Sequence, residues 1–287
     1  MLVTNIDHRP AREQKTTIVT INGWACKKKD WNALEPLCES GFGFFRFDRQ
    51  GYVPGYFRTL ARELLDELKV RNIESPCLVV HSMGGLAAIA YLNLVREPGY
   101  EQHRPKAVVF VTPALSDPRE SFPKDDKLIR LGSAFTRWRA NRIVNAIEDG
   151  KLPYRNMGFT ITAFQLASPF LFRHLGAEEQ VKREFARFLR ETKTHDKRTT
   201  LMEFYAMCSE GRQLENILIA GKIWMPEKVL VISGHHDLFI DNNIAATRIF
   251  ETMGNDSEVV LRTIDRTGHF PALEAPDEFR RLVTEII

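Results

Sequence analysis

An α/β fold, built on a mostly parallel sheet of about six to seven strands with helices on both faces, is predicted by three features of the sequence. Short, β-branched apolar runs alternate with segments of helical periodicity through residues 16–114 and again through 223–287. The runs lack polar alternation, which marks strands buried on both faces. Between these regions, residues 115–222 carry helical patterns but no convincing buried strand. A helical cap inserted after the strand at 107–111 is therefore expected, with 1–114 and 223–287 as the core.

In chain order, Ile18 to Ile21 reads as a strand running into the loop Asn22-Gly23-Trp24. Trp31 to Ser40 reads as a helix with Asp30 at its N-cap. Gly43 to Phe47 is the next strand and ends in the turn Asp48-Arg49-Gln50-Gly51. Phe57, Leu60, Ala61, Leu64, Leu65 and Leu68 recur at helical spacing and give one apolar face. Cys77 to Val80 is a strand, Leu86 to Val95 a helix, and Ala107 to Val111 a strand. After the insertion come a strand at Lys228 to Ile232, a helix at Asn242 to Met253 and a strand at Glu258 to Ile264. A closing helix from Pro276 to Ile287 offers Phe279, Leu282, Val283 and Ile286 to the core.

Size and composition narrow the function. At 287 residues with 44% hydrophobic content, the chain suffices for one large core, with or without an insertion. A net charge of +3, with Lys27-Lys28-Lys29 as the densest basic tract, does not suggest nucleic-acid binding. Four cysteines without C-x-x-C spacing indicate neither a zinc site nor a disulfide framework. Met1 to Lys15 has no apolar leader core, so a reduced, cytoplasmic setting is expected. Residues 75–95 contain no charged side chain, yet Pro76, His81, Ser82, Gly84, Gly85 and Asn93 interrupt them, arguing for buried strand, turn and helix rather than a membrane span.

The chemistry centres on Val79-Val80-His81-Ser82-Met83-Gly84-Gly85. An abrupt strand-to-helix reversal holds Ser82 in a strained backbone at the sheet's edge. The helix N-terminus behind it supplies N–H groups and a dipole suited to a developing oxyanion. After the strand at 228–232 comes Ser233-Gly234-His235-His236-Asp237, and after the last strand Thr267-Gly268-His269-Phe270. Serine, acid and histidine thus follow three strand ends in that order. Asp117, after the strand at 107–111, is a rival acid; Asp241 reads as a helix N-cap. The His235-His236 pair lacks the further ligands of a metal site.

These residues resemble an α/β-hydrolase-fold serine hydrolase with a helical cap. The resemblance covers roughly 16–114 and 223–287 and implies Ser82 as nucleophile, His269 as general base and then acid, and Asp237 as the group orienting the histidine. It further implies that the backbone N–H groups of Trp24 and Met83 form the oxyanion hole, with no cofactor. Asn22-Gly23-Trp24 stands where the family usually has His-Gly-x, and Val80 where the elbow usually has glycine. The Asp48-to-Gly51 turn resembles the family's Asp-x-Arg-Gly. About 15 residues precede the first core strand, leaving the family's N-terminal strand pair shortened to one strand or none.

The implied substrate is a small-molecule acyl ester or thioester. Residues 115–222 hold 19 Lys and Arg against 14 Asp and Glu, together with Phe122, Phe135, Trp138, Tyr154, Phe159, Phe164, Phe170 and Phe172. A basic, aromatic cap suits an acyl chain on an anionic carrier, although the same charges also suit a solvated helical surface. The same three residues serve carbon–carbon bond hydrolysis of diketones, and the fold also serves non-catalytic ligand receptors or scaffolds. These alternatives stay open at the level of sequence.

Overall fold

The computed structural model describes residues 1–12, 15–121, 127–174, 176–194 and 196–287. Phe122 lies outside the described residues, as do the side chains of Phe164 and Phe170.

Seven strands form one sheet: β1 (Val3–Arg9), β2 (Thr17–Ile21), β3 (Gly43–Arg49), β4 (Cys77–His81), β5 (Ala107–Val111), β6 (Lys228–Gly234) and β7 (Glu258–Ile264). Their spatial order is β1-β3-β2-β4-β5-β6-β7. β1 runs antiparallel to β3, and every other pair is parallel. Among the described residues, β1 alone precedes the first core strand.

The uninterrupted apolar runs are explained by burial on both sides. Val19, Leu78, Val80, Val108, Phe110 and Val231 turn to one face. Their neighbours Ile18, Cys77, Val79, Val109, Leu230 and Ile232 turn to the other. The first face is covered by α2 (Tyr56–Val70) and α3 (Gly84–Leu94), the second by a 3-10 segment at Lys28–Leu34 and the C-terminal helix.

α3 is buried nearly all round, which accounts for its lack of charge. No helix among the described residues is long and apolar enough to cross a membrane. The single helix expected at Trp31 to Ser40 is instead that 3-10 segment followed by the short α1 (Pro36–Glu39), with Pro36 in the first turn of the second piece. Proline lacks the N–H that would continue the first helix and is tolerated at the start of another.

Between β5 and β6 lie α4 (Pro118–Ser121), α5 (Lys127–Glu148), α6 (Tyr154–His174), α7 (Glu179–Thr194) and α8 (Lys197–Ile219), with no strand among the described residues. Ile143, Met157, Phe172, Phe185 and Phe188 from α5, α6 and α7 cluster with Ala25, Leu238 and Phe270 from the loops at the sheet's carboxyl end. α8 differs, because Ala206, Met207, Leu214 and Leu218 join the sheet's larger cluster. α9 (Asn242–Met253), α10 (Pro271–Glu274) and α11 (Pro276–Thr284) complete the chain.

β3 and β4 lie on opposite sides of β2, which opens a crevice at the carboxyl end of the sheet where α/β folds place ligands. Trp24 follows β2 and Ser82 follows β4 at that crevice.

Candidate active site

Ser82 sits between β4 and α3 with φ of +50°, a left-handed conformation that costs a non-glycine residue on the order of 1–3 kcal/mol. Its backbone is held from both sides: its N–H donates to the Val111 carbonyl, and its own carbonyl accepts from Gly85 and Ala114. Small residues after the serine make the turn possible. A Cβ on Gly84 would lie 2.5 Å from the Ile21 carbonyl oxygen, so only glycine lets α3 approach β2 this closely. Gly23 serves the neighbouring loop, since a Cβ there would lie 2.6 Å from Nδ1 of His81. Val80, at the position where the elbow usually has glycine, is buried in the core cluster under α3.

The structure brings Ser82, His269 and Asp237 together. Ser82 Oγ and His269 Nε2 are 2.9 Å apart. His269 Nδ1 and Asp237 Oδ2 are also 2.9 Å apart. The second carboxylate oxygen, Oδ1, accepts from the N–H groups of Phe239 and Ile240 at 2.8 and 3.1 Å. The acid is thereby fixed at both oxygens. Asp237 and His269 are both buried, and the imidazole packs against the rings of Phe239 and Phe270 at centroid distances near 5 Å.

β7 stands three strands from β4, about 14 Å at 4.8 Å per strand. The loop bearing His269 must therefore return over β5 and β6 to reach Ser82. Two side chains, one ending β4 and one just after β5, secure it. His81 Nε2 donates to the His269 carbonyl at 2.7 Å, and Thr112 Oγ1 donates to the same oxygen at 3.1 Å. Donation from Nε2 leaves Nδ1 of His81 as an acceptor, facing the Cys26 thiol at 3.9 Å. Burial, and then the charge of His269, press the His81 pKa down to about 3, so its imidazole stays neutral. Glu274 braces the loop from behind by accepting from the Gly268 N–H at 2.5 Å. Burial, reinforced by the charge of Asp237, pushes the Glu274 carboxyl up to about 8.

The rival acids are otherwise engaged. Asp117 forms a two-pronged pair with Arg119, whose Nε lies 2.8 and 2.9 Å from its two oxygens. Asp241 caps α9 by accepting from the Ile244 N–H. His235 and His236 stack edge to face, and no cluster of metal-ligating groups occurs among the described residues.

Met83 is the N-cap of α3, and Trp24 is the third residue after β2. Neither backbone N–H has a protein acceptor among the described residues. The Trp24 loop is clamped by a buried network absent from the sequence reading. Arg49 donates to the carbonyls of Asn22 and Gly23 at 2.5 and 2.6 Å, and through Nε to Glu203 at 3.0 Å. Tyr56 donates to the same Glu203 oxygen at 2.8 Å. The Trp24 indole donates to the Thr200 carbonyl at 2.8 Å. α8 thus grips the loop from above, with Trp24 and Thr200 176 residues apart in sequence. The only sequence signal was Arg49 in its Asp-x-Arg-Gly-like turn.

Ser82 and His269 open onto a cavity that is largely apolar. Its walls are Trp24 from the sheet side and residues such as Ile143, Met157, Ile161, Phe188 and Met207 from α5 to α8. Among the described residues, no Asp, Glu, Lys or Arg lines it. Such a site accepts an uncharged, apolar group beside a serine hydroxyl.

A family model described as the alpha/beta hydrolase family matches residues 18–282. No curated protein matches the chain. Among solved structures, Cfl2 from Burkholderia cenocepacia is similar with a TM-score of 0.67 at 18% identity, covering 98% of this chain and 91% of that one. An esterase from Exiguobacterium antarcticum has a TM-score of 0.67 at 15% identity, with 98% and 93% covered. An enol-lactonase from Burkholderia xenovorans has a TM-score of 0.61 at 18% identity, with 98% and 95% covered. At these identities the likeness is one of fold.

Proposed function

The chain belongs to the alpha/beta hydrolase family, and from that premise we propose that it is a serine hydrolase cleaving a carboxylic ester or thioester through an acyl-enzyme. The observation that carries this reading is the continuous line from Asp237 through His269 to Ser82, each step 2.9 Å. His269 takes the Ser82 proton as the oxygen attacks the acyl carbonyl. Asp237 holds the imidazole with Nδ1 protonated and Nε2 free to accept, and it stabilises the imidazolium that forms. The N–H groups of Trp24 and Met83 take the oxyanion, a contribution of about 10²–10³ in kcat per donor in comparable sites. His269 then protonates the leaving group, and water, activated by the same imidazole, releases the acid.

Residues 115–222 serve as a cap over a core of 1–114 and 223–287, with α8 anchoring the cap to α3. The uncharged cavity walls favour an apolar acyl chain, free or carried on a larger group. The names of the esterase and enol-lactonase neighbours accord with cleavage of an acyl–oxygen bond. Four free cysteines fit a reducing, cytoplasmic setting.

A panel of p-nitrophenyl esters of graded chain length, assayed beside vinylogous diketones, tests this function. Ester turnover that Ser82→Ala and Asp237→Ala abolish, but Asp117→Ala retains, is expected. Turnover of the diketones alone would favour carbon–carbon hydrolysis, and turnover of neither class a receptor or scaffold.

A further inference from the structure

The cap helices α5 and α6 have two faces of different chemistry. Thr136, Ala140 and Ile143 of α5, at helical spacing, turn inward to the cavity, as do Met157, Thr160 and Ile161 of α6. The outward positions carry Phe135, Trp138, Phe159 and Leu166, which are 40%, 50%, 57% and 70% exposed. These are large apolar groups left in water, and together they form a patch of a kind that soluble surfaces seldom keep without use.

The patch is also cationic. Arg142 lies 5.0 Å from the Trp138 ring and Arg139 lies 4.8 Å from the Phe159 ring, while Phe135 and Trp138 meet at 6.0 Å. Arg139 is buried beneath these rings and donates to Thr160, so the exposed positive charge of this face comes from Arg137 and from Arg142 beside Trp138. Residues 127–174 hold eight Lys and Arg against two acidic residues, Glu148 and Asp149. No carboxylate among the described residues pairs with Arg137, Arg142 or Arg155. This short stretch therefore contains more positive charge than the whole chain's net +3.

We propose that the outer face of α5 and α6 docks on an anionic lipid surface. Trp, Phe and Leu beside arginines match the water–lipid boundary, where ring and acyl carbon mix with negatively charged headgroups. A second copy of this chain would set like charge against like charge, which opposes an isologous contact. The placement also has a consequence for the site. The helices that would rest on lipid are the ones whose inner faces line the cavity at Ser82, so an acyl chain leaving the bilayer would have a short apolar path to the serine. Docking does not depend on the hydrolase reading, because it concerns charge and apolar exposure on the far side of the cap.

Co-sedimentation with phosphatidylglycerol vesicles and with phosphatidylcholine vesicles at low salt is the test. The protein is expected to pellet with the first and remain free with the second, and to release by about tenfold or more as salt screens the arginines. Trp138→Ala/Phe159→Ala and Arg137→Glu/Arg142→Glu should each weaken pelleting about tenfold. Arg96→Glu/Lys106→Glu, an equal change of charge at exposed positions away from the cap, should not. Labelling of Ser82 by a soluble fluorophosphonate should be the same in all three double variants, which separates loss of docking from loss of the site. Four results would overturn the proposal: no pelleting with phosphatidylglycerol, equal pelleting with phosphatidylcholine, an equal loss in the control variant, or a dimer that the cap substitutions dissolve.

Discussion

His81 Nε2 donates to the backbone carbonyl of His269 at 2.7 Å, so the residue before the elbow serine holds the segment that presents the base to that serine. One imidazole fixes the backbone that carries the other. His81→Ala should release the loop and lower kcat by about tenfold or more, since misplacing a catalytic group by about 1 Å costs up to roughly 10²-fold. His81→Gln, which can place a donor near the same carbonyl, should recover part of that loss. Steady-state kinetics with fluorophosphonate labelling rates for the three proteins would measure it; equal losses in both variants would contradict a positioning role.

The same histidine gives an acid-side signature. Its folded pKa near 3 lies below the unfolded value of 6.5, so the unfolded chain takes up the proton first. The stability that His81 contributes is complete above pH 6.5 and is lost as pH falls through 6.5 toward 3, up to about 5 kcal/mol. Denaturant midpoints of wild type and His81→Gln should converge as pH is lowered across that window. A constant difference would show that His81 does not titrate as described.

Glu274 works in the opposite direction. Its folded pKa of about 8 lies above the ordinary 4.5, so the folded protein holds a proton that the unfolded chain has released. The associated stability is complete below pH 4.5 and disappears as pH rises through 8. Glu274→Gln keeps an acceptor for the Gly268 N–H but cannot ionise. It should therefore gain stability relative to wild type between pH 5 and pH 9, read as the difference in urea midpoints. A difference independent of pH would contradict the protonated carboxyl.

Glu203 ties α8 to the Trp24 loop through Arg49, with both side chains nearly fully buried. Glu203→Gln leaves the guanidinium buried without its counter-charge, a change costing about 3–5 kcal/mol in comparable pairs. In the fraction that remains folded, the loop carbonyls of Asn22 and Gly23 lose a fixed donor, and kcat should fall by about tenfold with KM little changed. A rise in KM alone would mean that Glu203 shapes the cavity rather than the oxyanion loop.

Much of this fold could be read from the chain because its core strands are apolar on both faces, and each such run is followed by a turn signal. β1 was harder: it is an edge strand, only Val3 of its seven residues is fully buried, and its sequence is largely polar. The broken helix at Lys28–Leu34 and Pro36–Glu39 turned on Pro36, whose effect on a preceding turn outweighs the apolar spacing of Trp31, Leu34 and Leu37. Ser82, Asp237 and His269 stood out as candidates because glycines and strand ends flank them. Chain order alone could not separate Asp237 from Asp117; Arg119, two residues beyond Asp117, engages that carboxylate in space. The clamps on the site were not legible. Thr112 and Glu203 act through contacts 147 to 157 residues apart and Glu274 through a tight turn, and none belongs to a spacing pattern.

The central claim is that Ser82 is an activated nucleophile, and covalent labelling tests it most directly. Folded protein treated with a fluorophosphonate, digested and analysed by mass spectrometry should carry the adduct on Ser82 alone. Labelling should drop by at least about 10³-fold in His269→Ala, in keeping with removal of a base that acts as a unit with the serine. An unlabelled Ser82 in folded wild-type protein, or labelling that persists unchanged without the imidazole, would contradict it.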